Sequence, residues 1–276
     1  MQKFLTDIHT HSLFSFDGID ELQDMLCSAQ RKGVAFYGVS EHFDYDLLVR
    51  GNRVERRMID EEEYFHRARH LQEDYQGVMN VLIGAEFSYI QDEKALAMYC
   101  DVVKKYKPDF IVNSVHSING EDYYDRVPFY DSEGKMRTKD EVYKEYLGAI
   151  YESLFAPYPY QIVGHIGYAV RYAPYTDKAL RYEDFAEEID KILLEIIRQN
   201  KILEINSSMK DALCITPLDI FKRYFELGGR LVSIASDAHD TSRICDKREQ
   251  LVCALKNIGF THHCVPDRQE YILLEL

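Results

Sequence analysis

The sequence lacks several features that mark particular classes of protein. Its 276 residues include no tryptophan and only seven prolines, and the six cysteines are scattered without a CxxC spacing. Such cysteines are typical of reduced, mostly buried thiols in a cytosolic protein, so we expect no cysteine to bind a metal. No apolar run approaches the roughly 18 residues of a membrane span, and no basic-then-apolar leader is visible. These absences predict a cytoplasmic protein with no membrane partner.

Basic residues are also in the minority. Lysine and arginine number 33 against 47 acidic residues, which gives a net charge of −14. Nucleic-acid binding usually shows a basic footprint, so we expect no nucleic-acid partner. A small anion drawn in by bound cations stays compatible with this charge. Linkers rich in Gly, Pro or Ser are absent as well, and the composition favours one domain over residues 1–276, in an oligomeric state that stays open.

Short apolar runs alternate with amphipathic stretches along the chain. Seven runs have the character of strands: KFLTDIHTH, VAFYGVSEH, VMNVLIGAEF, DFIVNSVH, YQIVGHIG, ILEINSS and LVSIASDAH. The first helix is expected to begin at an N-cap at Asp20 and to end at Gly33. Further helices are expected near 60–76, over 93–106, near 139–154, near 183–200, after Pro217, and in KREQLVCALKNIG. Repeated strand, loop and helix predict an α/β fold with a parallel (β/α) barrel, and YILLEL adds a terminal strand.

Nearly every run ends in a side chain that binds metals. These residues are His9, His11, His42, Glu86, His116, His165, Asp237 and His239. A parallel barrel gathers the C-terminal ends of its strands on one face. Taken singly, each could be a hydrogen-bonded histidine or a salt-bridged acid. Glu86 and Asp237, however, have no cationic neighbour in sequence, and a buried carboxylate needs a cation as partner. The repeated position favours one polynuclear metal site.

The motifs HTHSLFSFDG, SEH, GAEF, NSVHS, GHIG and SDAH, in this order, carry a resemblance to a known family. They resemble the motifs of the polymerase-and-histidinol-phosphatase (PHP) superfamily, and most closely those of its histidinol-phosphatase branch. The resemblance covers the chain from His9 to at least His239. It implies a distorted (β/α)7 barrel that holds two or three divalent metals. It also implies hydrolysis of L-histidinol phosphate to L-histidinol and phosphate, a step of histidine biosynthesis.

The resemblance further implies three sets of metal ligands. The first set is His9, His11, Glu86 and Asp237; the second shares Glu86 and adds His116 and His165; the third is Asp17, His42 and His239. Imidazole with carboxylate suits zinc, iron or manganese better than calcium or magnesium. We therefore expect two to three divalent ions of Zn, Fe or Mn as cofactors.

A small phosphorylated substrate is expected to be attacked in line by a hydroxide that bridges two metals. We assign catalytic roles to Asp237, His239 and Arg171, and substrate contacts to Arg171, His42 and Asn206. Arg171 follows His165 closely, and arginine binds phosphate oxygens bidentately; the alternative is a surface arginine paired with an acid of the next helix. Four arginines follow the second strand: Arg50, Arg53, Arg56 and Arg57. We expect them to lie in a solvated loop, and one of them is a second candidate for binding the phosphate.

Other residues receive more ordinary interpretations. Four tyrosines are expected to wall a pocket or simply to form a tyrosine-rich rim: Tyr45, Tyr89, Tyr123 and Tyr168. His66 and His70 are expected to be solvated on a helix, and His262 and His263 to lie in a turn, all four without a role.

Several other functions remain open at this stage. The same superfamily fold serves phosphodiesterases and exonucleases acting on nucleotides, as well as phosphotyrosine phosphatases. Amidohydrolase-type C–N hydrolases typically use a lysine bridge or fewer ligands, and no run here ends in lysine. A non-enzymatic, metal-free module would require lost ligands, whereas all nine ligands are present.

Overall fold

The computed structural model describes residues 4–46, 58–208, 217–267 and 270–276. In this part of the chain one parallel sheet has the strand order β1-β2-β3-β4-β7-β8-β9. The strands are β1 Leu5–Asp7, β2 Val34–Phe43, β3 Asn80–Ser88, β4 Phe110–Ser114, β7 Ile162–Val163, β8 Ile202–Asn206 and β9 Val232–Ala235. Thr10 and Ala238, just past β1 and β9, form a parallel bridge. The sheet is thereby nearly closed, and the predicted barrel is confirmed.

Helices follow the strands, and the longer ones cover the outer face of the barrel. They are α1 Leu22–Arg31, α2 Glu61–Asp74, α3 Glu93–Tyr106, α4 Lys139–Ser153, α5 Tyr168–Tyr172, α6 Ala186–Arg198, α7 Leu218–Glu226 and α8 Arg248–Ile258. Their buried faces form a large apolar core with the outer side of the sheet. Among the described residues, no helix has the length and apolar character needed to cross a bilayer.

Local signals explain the starts of three of these helices. Asp60 and Asp92 accept backbone N–H groups at the first turns of α2 and α3, and Thr138 forms a capping box with Glu141 at α4. The prediction of Asp20 as the N-cap of α1 is wrong. Glu21 holds that position, and the Asp20 carboxylate instead accepts the Thr241 N–H at 2.7 Å, because a distant loop competes for it.

The inside of the barrel is apolar at its N-terminal end. Alternate strand residues meet there, among them Phe110, Ile162 and Ile202. A C-terminal hairpin of β10, His262–Asp267, and β11, Glu270–Glu275, adds Cys264, Val265 and Leu274 to this interior cluster. The hairpin therefore seals this end of the barrel.

The hairpin also corrects the prediction that His262 and His263 lie in a turn. Both belong to β10, and His263 is fully buried with its Nε2 3.1 Å from Thr6 Oγ1. The terminal strand expected in YILLEL is confirmed as β11. The cysteines described (Cys27, Cys100, Cys245, Cys253 and Cys264) are free thiols, and Cys214 lies outside the described residues.

Strand β3 shows how the interior changes from apolar to polar. Side chains two apart share a face, so Leu82, Gly84 and Glu86 all point into the barrel. Leu82 packs on the interior cluster, and a Cβ at Gly84 would stand 2.5 Å from the Phe110 ring. The small residue lets the barrel close at that level. Glu86 then reaches the C-terminal end, where the polar side chains gather.

Long connections complete that end of the barrel. Between β4 and α4 lies a short hairpin of β5, Ser117–Ile118, and β6, Glu121–Asp122, followed by 3-10 turns at Tyr123–Asp125 and Val127–Phe129. These segments and α5 overhang the strand ends.

Candidate metal centre

A single buried carboxylate occupies the middle of the C-terminal end. Five imidazoles have a ring nitrogen within 3.6 Å of the Glu86 carboxylate oxygens: His9, His11, His42, His116 and His165. Ser114 Oγ donates a further hydrogen bond of 2.6 Å to Glu86 Oε1. The side chain is fully buried. Such a concentration of imidazole around one carboxylate is typical of a ligand shared between metal ions.

The electrostatics of the site keep its acids ionised. Burial alone would raise the pKa of Glu86, but His9, His116 and His42 hold it well below its usual range. Burial likewise opposes ionisation of Asp237, yet the hydrogen bond from His11 and the charges of His9 and His239 keep its pKa low. Both carboxylates are therefore in the form that binds metal at neutral pH.

One group of ligands lies between β1, β3 and β9. His11 Nε2 is 3.1 Å and His9 Nε2 is 3.7 Å from Asp237 Oδ1, and the two Nε2 atoms are 3.1 Å apart. Glu86 Oε2 completes the group at 3.3 Å from His9 Nε2. Ligand atoms about 2.0–2.1 Å from a tetrahedral zinc ion would stand roughly 3.4 Å from one another. The spacing fits an ion between these side chains.

A second group lies on the other oxygen of Glu86. His165 Nε2 and His116 Nε2 are 2.9 and 3.2 Å from Glu86 Oε1. All three side chains are buried and come from neighbouring strand ends of the sheet. This group could hold a second ion that shares Glu86 with the first.

The third group is the most exposed. Asp17 Oδ1 is 3.5 Å from His42 Nε2, Asp17 Oδ2 is 3.3 Å from His239 Nε2, and the two imidazole nitrogens are 3.4 Å apart. The structure therefore brings together all nine side chains expected as ligands, in three adjoining groups. Buried imidazole and carboxylate donors at these spacings fit divalent transition metals.

Asp237 holds its place through an unusual backbone conformation. Its φ is +53°, in the left-handed region that costs a non-glycine residue about 1 kcal/mol or more. Its N–H donates to His9 O at 2.9 Å, which joins the last strand to the first at the point of closure. The backbone strain therefore lies at the residue that contacts His9 and His11.

A cavity of about 470 Å³ opens above the three groups. The residues that line it are Phe16, Asp17, His42, Asp44, His116, Asp122, Tyr124, His165, Tyr168, Arg171, Tyr172, Ser208, Asp237, His239, Asp240 and Arg243. Arg171 extends from α5, with Nη1 3.4 Å from Ser208 Oγ. Arg243 comes from the loop after β9 and pairs with Asp246 at 3.1 Å. Lysine does not occur among the described residues of this lining.

Sequence reasoning missed Arg243 and the supports of its loop. Lys32, the residue after α1, donates from Nζ to the carbonyl oxygens of Thr241, Ser242 and Ile244 at 2.8–3.2 Å. These contacts hold the loop against the end of α1. Nothing in the local sequence DTSRICDK indicates these contacts, since the donor lies more than 200 residues away.

Two buried glutamates were also missed. Glu204 on β8 accepts from His9 Nδ1 at 2.8 Å. Glu41 accepts the Ser12 N–H at 3.0 Å and the Ser15 hydroxyl at 2.6 Å, and Ser15 Oγ in turn lies 3.1 Å from His11 Nδ1. Both glutamates interrupt apolar strands, in ILEIN and VSEH, and this interruption is the signal that could have identified them.

The remaining expectations have mixed outcomes. Asn206 is fully buried and outside the cavity lining; its amide donates to Glu204 Oε1 at 2.9 Å. Tyr168 lines the cavity, whereas Tyr45, Tyr89 and Tyr123 are buried in the outer core. His66 and His70 are exposed on α2. The arginine cluster (Arg50, Arg53, Arg56 and Arg57) lies outside the described residues.

Comparison with known proteins places this geometry in context. The chain is 29% identical over 235 residues to a probable histidinol-phosphatase of Clostridium acetobutylicum, covering 84% of this chain and 86% of that relative. It is 27% identical over 257 residues to the histidinol-phosphatase of Lactococcus lactis subsp. lactis, covering 92% and 91% of the two chains.

A solved structure agrees with the fold over nearly the whole chain. The histidinol phosphate phosphatase of Lactococcus lactis subsp. lactis, complexed with zinc, L-histidinol and phosphate, superposes with a TM-score of 0.83 at 25% identity and covers 97% of this chain and 98% of its own. The model of the PHP domain family matches residues 7–208, which is more than half of the sequence. This chain belongs to the PHP domain family.

Proposed function

We propose that this protein hydrolyses a phosphomonoester, L-histidinol phosphate, to L-histidinol and phosphate with two or three divalent ions. The observation that carries the proposal is the convergence of nine imidazole and carboxylate side chains beneath a cavity that also contains Arg171 and Arg243. The names of the relatives and the zinc, L-histidinol and phosphate bound in the Lactococcus protein support the same substrate.

We assign the ligands as the three groups described above. His9, His11, Glu86 and Asp237 would hold one ion, Glu86 with His116 and His165 a second, and Asp17, His42 and His239 a third. Zinc, iron and manganese all suit this donor set. When bound, the ions polarise the phosphate and make a water molecule acidic enough to act as nucleophile at neutral pH.

The arginines of the cavity bind and orient the phosphate. Arg171 and Arg243 are the described cationic side chains in the lining that keep their charge at every physiological pH. A planar guanidinium can grip two phosphate oxygens and favour the charge that builds up on them in the transition state. We assign catalytic roles to Asp237 and His239 as ion ligands that line the same cavity, and a substrate contact to His42, which lines it from β2.

The rest of the cavity suits the organic part of the substrate. Tyr124, Tyr168 and Tyr172 offer aromatic faces for an imidazole ring, and Asp122 and Asp240 offer carboxylates for an ammonium group. L-Histidinol phosphate carries a phosphate, an imidazole and an ammonium group. Asn206 does not line the cavity, so we assign it to the support of the site instead.

The alternatives fit these features less well. A net charge of −14 disfavours a polynucleotide. A phosphotyrosine peptide offers no free ammonium group beside its phosphate. Amidohydrolase-type sites for C–N hydrolysis typically use a bridging lysine or fewer ligands, and the described residues of this lining include no lysine.

A substrate panel on metal-analysed protein tests the proposal. We expect kcat/KM for L-histidinol phosphate to exceed that for a nucleoside monophosphate, a dinucleotide and a phosphotyrosine peptide by more than tenfold. The Glu86→Gln variant, purified identically, controls for contaminating phosphatase. A clear preference of the wild type for one of the other three substrates would overturn the histidinol assignment.

A further inference from the structure

Glu204 is a buried carboxylate that the proposed ligand sets do not use. It lies on β8, on the same face as Ile202 and Asn206, and is fully buried. Its ion pair in the described part of the chain is with His9, at 2.8 Å between Oε2 and Nδ1. Burying a carboxylate without a positive partner costs free energy. Glu204 therefore depends on its ion-pair partner His9 for compensating positive charge.

The contact fixes the tautomer of His9. A carboxylate only accepts hydrogen bonds, so the proton of the neutral imidazole must stand on Nδ1. The lone pair is then on Nε2, the atom that faces His11, Glu86 and Asp237 at 3.1–3.7 Å. Carboxylate, histidine and metal arranged in this order hold the ring in place and increase its basicity.

The other oxygen of Glu204 reaches the second ligand group. Oε1 accepts the backbone N–H of His165 at 3.2 Å and the amide of Asn206 at 2.9 Å. Asn206 Oδ1 in turn accepts the Ser208 N–H at 2.8 Å, and Ser208 Oγ is 3.4 Å from Arg171 Nη1. One strand end therefore supports His9, the start of the His165 loop and the neighbourhood of Arg171.

We propose that Glu204 is a positioning residue that holds His9 with its Nε2 lone pair toward the first ligand group and ties the His165 loop to the same carboxylate. The proposal rests on the proposed metal sites. It does not require Glu204 to touch an ion or the substrate.

Zinc binding to the Glu204→Gln variant tests the inference. The amide of the variant can accept from His9 or from His165 and Asn206, but not from both sides, and it carries no charge. We expect zinc affinity, measured by competition with a chelating dye, to fall by about 10- to 100-fold. The ion content per chain should fall with it, at an unchanged circular dichroism spectrum.

Asp109→Asn is the matched control. Asp109 also accepts a backbone N–H, that of Ile83 at 2.8 Å, but its remaining partners are Arg69 and Gln72 on α2, away from the ligand groups. It should keep wild-type zinc affinity. Equal losses in both variants, or zinc affinity within twofold of wild type in Glu204→Gln, would overturn the inference.

A second variant covers the case in which Glu204→Gln does not fold. Glu204→Asp keeps the charge but is one methylene too short to reach His9 and His165 together, so it should also lose zinc affinity, and wild-type affinity would again contradict the inference. The two proposals fail separately. Zinc binding decides the role of Glu204, whereas the substrate panel on the wild type decides the reaction.

Discussion

The two ends of the barrel interior differ although the same strands build both. At the N-terminal end Phe110, Ile162 and Ile202 pack on the C-terminal hairpin and exclude water. At the C-terminal end the same strands deliver carboxylates and imidazoles, and the buried Nδ1 of His165 has no hydrogen-bond partner among the described residues. Burial of the apolar end therefore stabilises the fold, whereas burial of the polar end costs free energy until cations neutralise its carboxylates.

The largest effect should come from the centre of the polar end. Glu86→Gln removes the charge shared by five imidazoles, so activity and ion content should both collapse. The loss in kcat/KM should exceed the roughly 10- to 100-fold cost of changing a residue behind the ligands. Elemental analysis of gently purified wild type should show two to three ions per chain. Near wild-type turnover in the variant would mean that this carboxylate is structural.

The apolar end should respond in the opposite way. Ile202→Ala leaves a cavity two residues before Glu204 and should lower the free energy of unfolding by about 2–5 kcal/mol. Denaturant unfolding measures this change. Ion content should stay at the wild-type value, because Ile202 contacts the interior cluster and no ligand group. A loss of ions at an unchanged free energy of unfolding would contradict this division of roles between the two ends.

Arg171→Ala sharpens the comparison within the polar end. We expect a loss of about 2–4 kcal/mol of transition-state stabilisation, the scale of one lost oxyanion donor, measured as kcat/KM at full ion occupancy. Arg181→Ala, which removes an exposed arginine paired with Asp177, serves as the control and should change little. An intact rate in Arg171→Ala would leave Arg171 as a support of Ser208.

The smallest change, counted per pH unit, concerns the pH response of the sealed end. Burial, aided by the Arg248 charge, lowers the pKa of His263 from 6.5 to about 3. The unfolded state therefore binds a proton first as the pH falls, and the stability from neutral His263 is present above pH 6.5 and lost toward pH 3. The slope is at most about 1.4 kcal/mol per pH unit. In this pH window the free energy of unfolding should change less with pH in His263→Gln than in the wild type. The same pH dependence in both proteins would refute the assignment.

Features encoded within a few residues could be predicted from the sequence. The strands ending in His42, Glu86 and Asp237 follow from apolar runs bounded by polar residues. The rule that parallel strand ends share a face then brings the ligands together. The N-cap at Asp20 failed for a different reason, because its carboxylate binds Thr241, a partner more than 200 residues away.

The contacts of the residues behind the ligands could not be predicted, for the same reason. His9 and Glu204 are 195 positions apart, and no local pattern says that β1 and β8 place them 2.8 Å from each other. The loop that carries Arg243 into the cavity is held by Lys32, about 210 positions away. His263 seemed to lie in a turn, since a lone buried imidazole in a short strand has no periodic signal.

The sequence by itself determined the parallel barrel and eight candidate ligands at its strand ends, because strand period and strand-end position are local properties; the ninth candidate, Asp17, came from the resemblance of its motif. Only the tertiary structure decided that five imidazoles surround Glu86, that Glu204 and Asn206 form a hydrogen-bonded chain behind His9, and that a hairpin closes the opposite end. Those outcomes depend on distances between segments far apart in the chain, which strand order, closure and side-chain packing fix together.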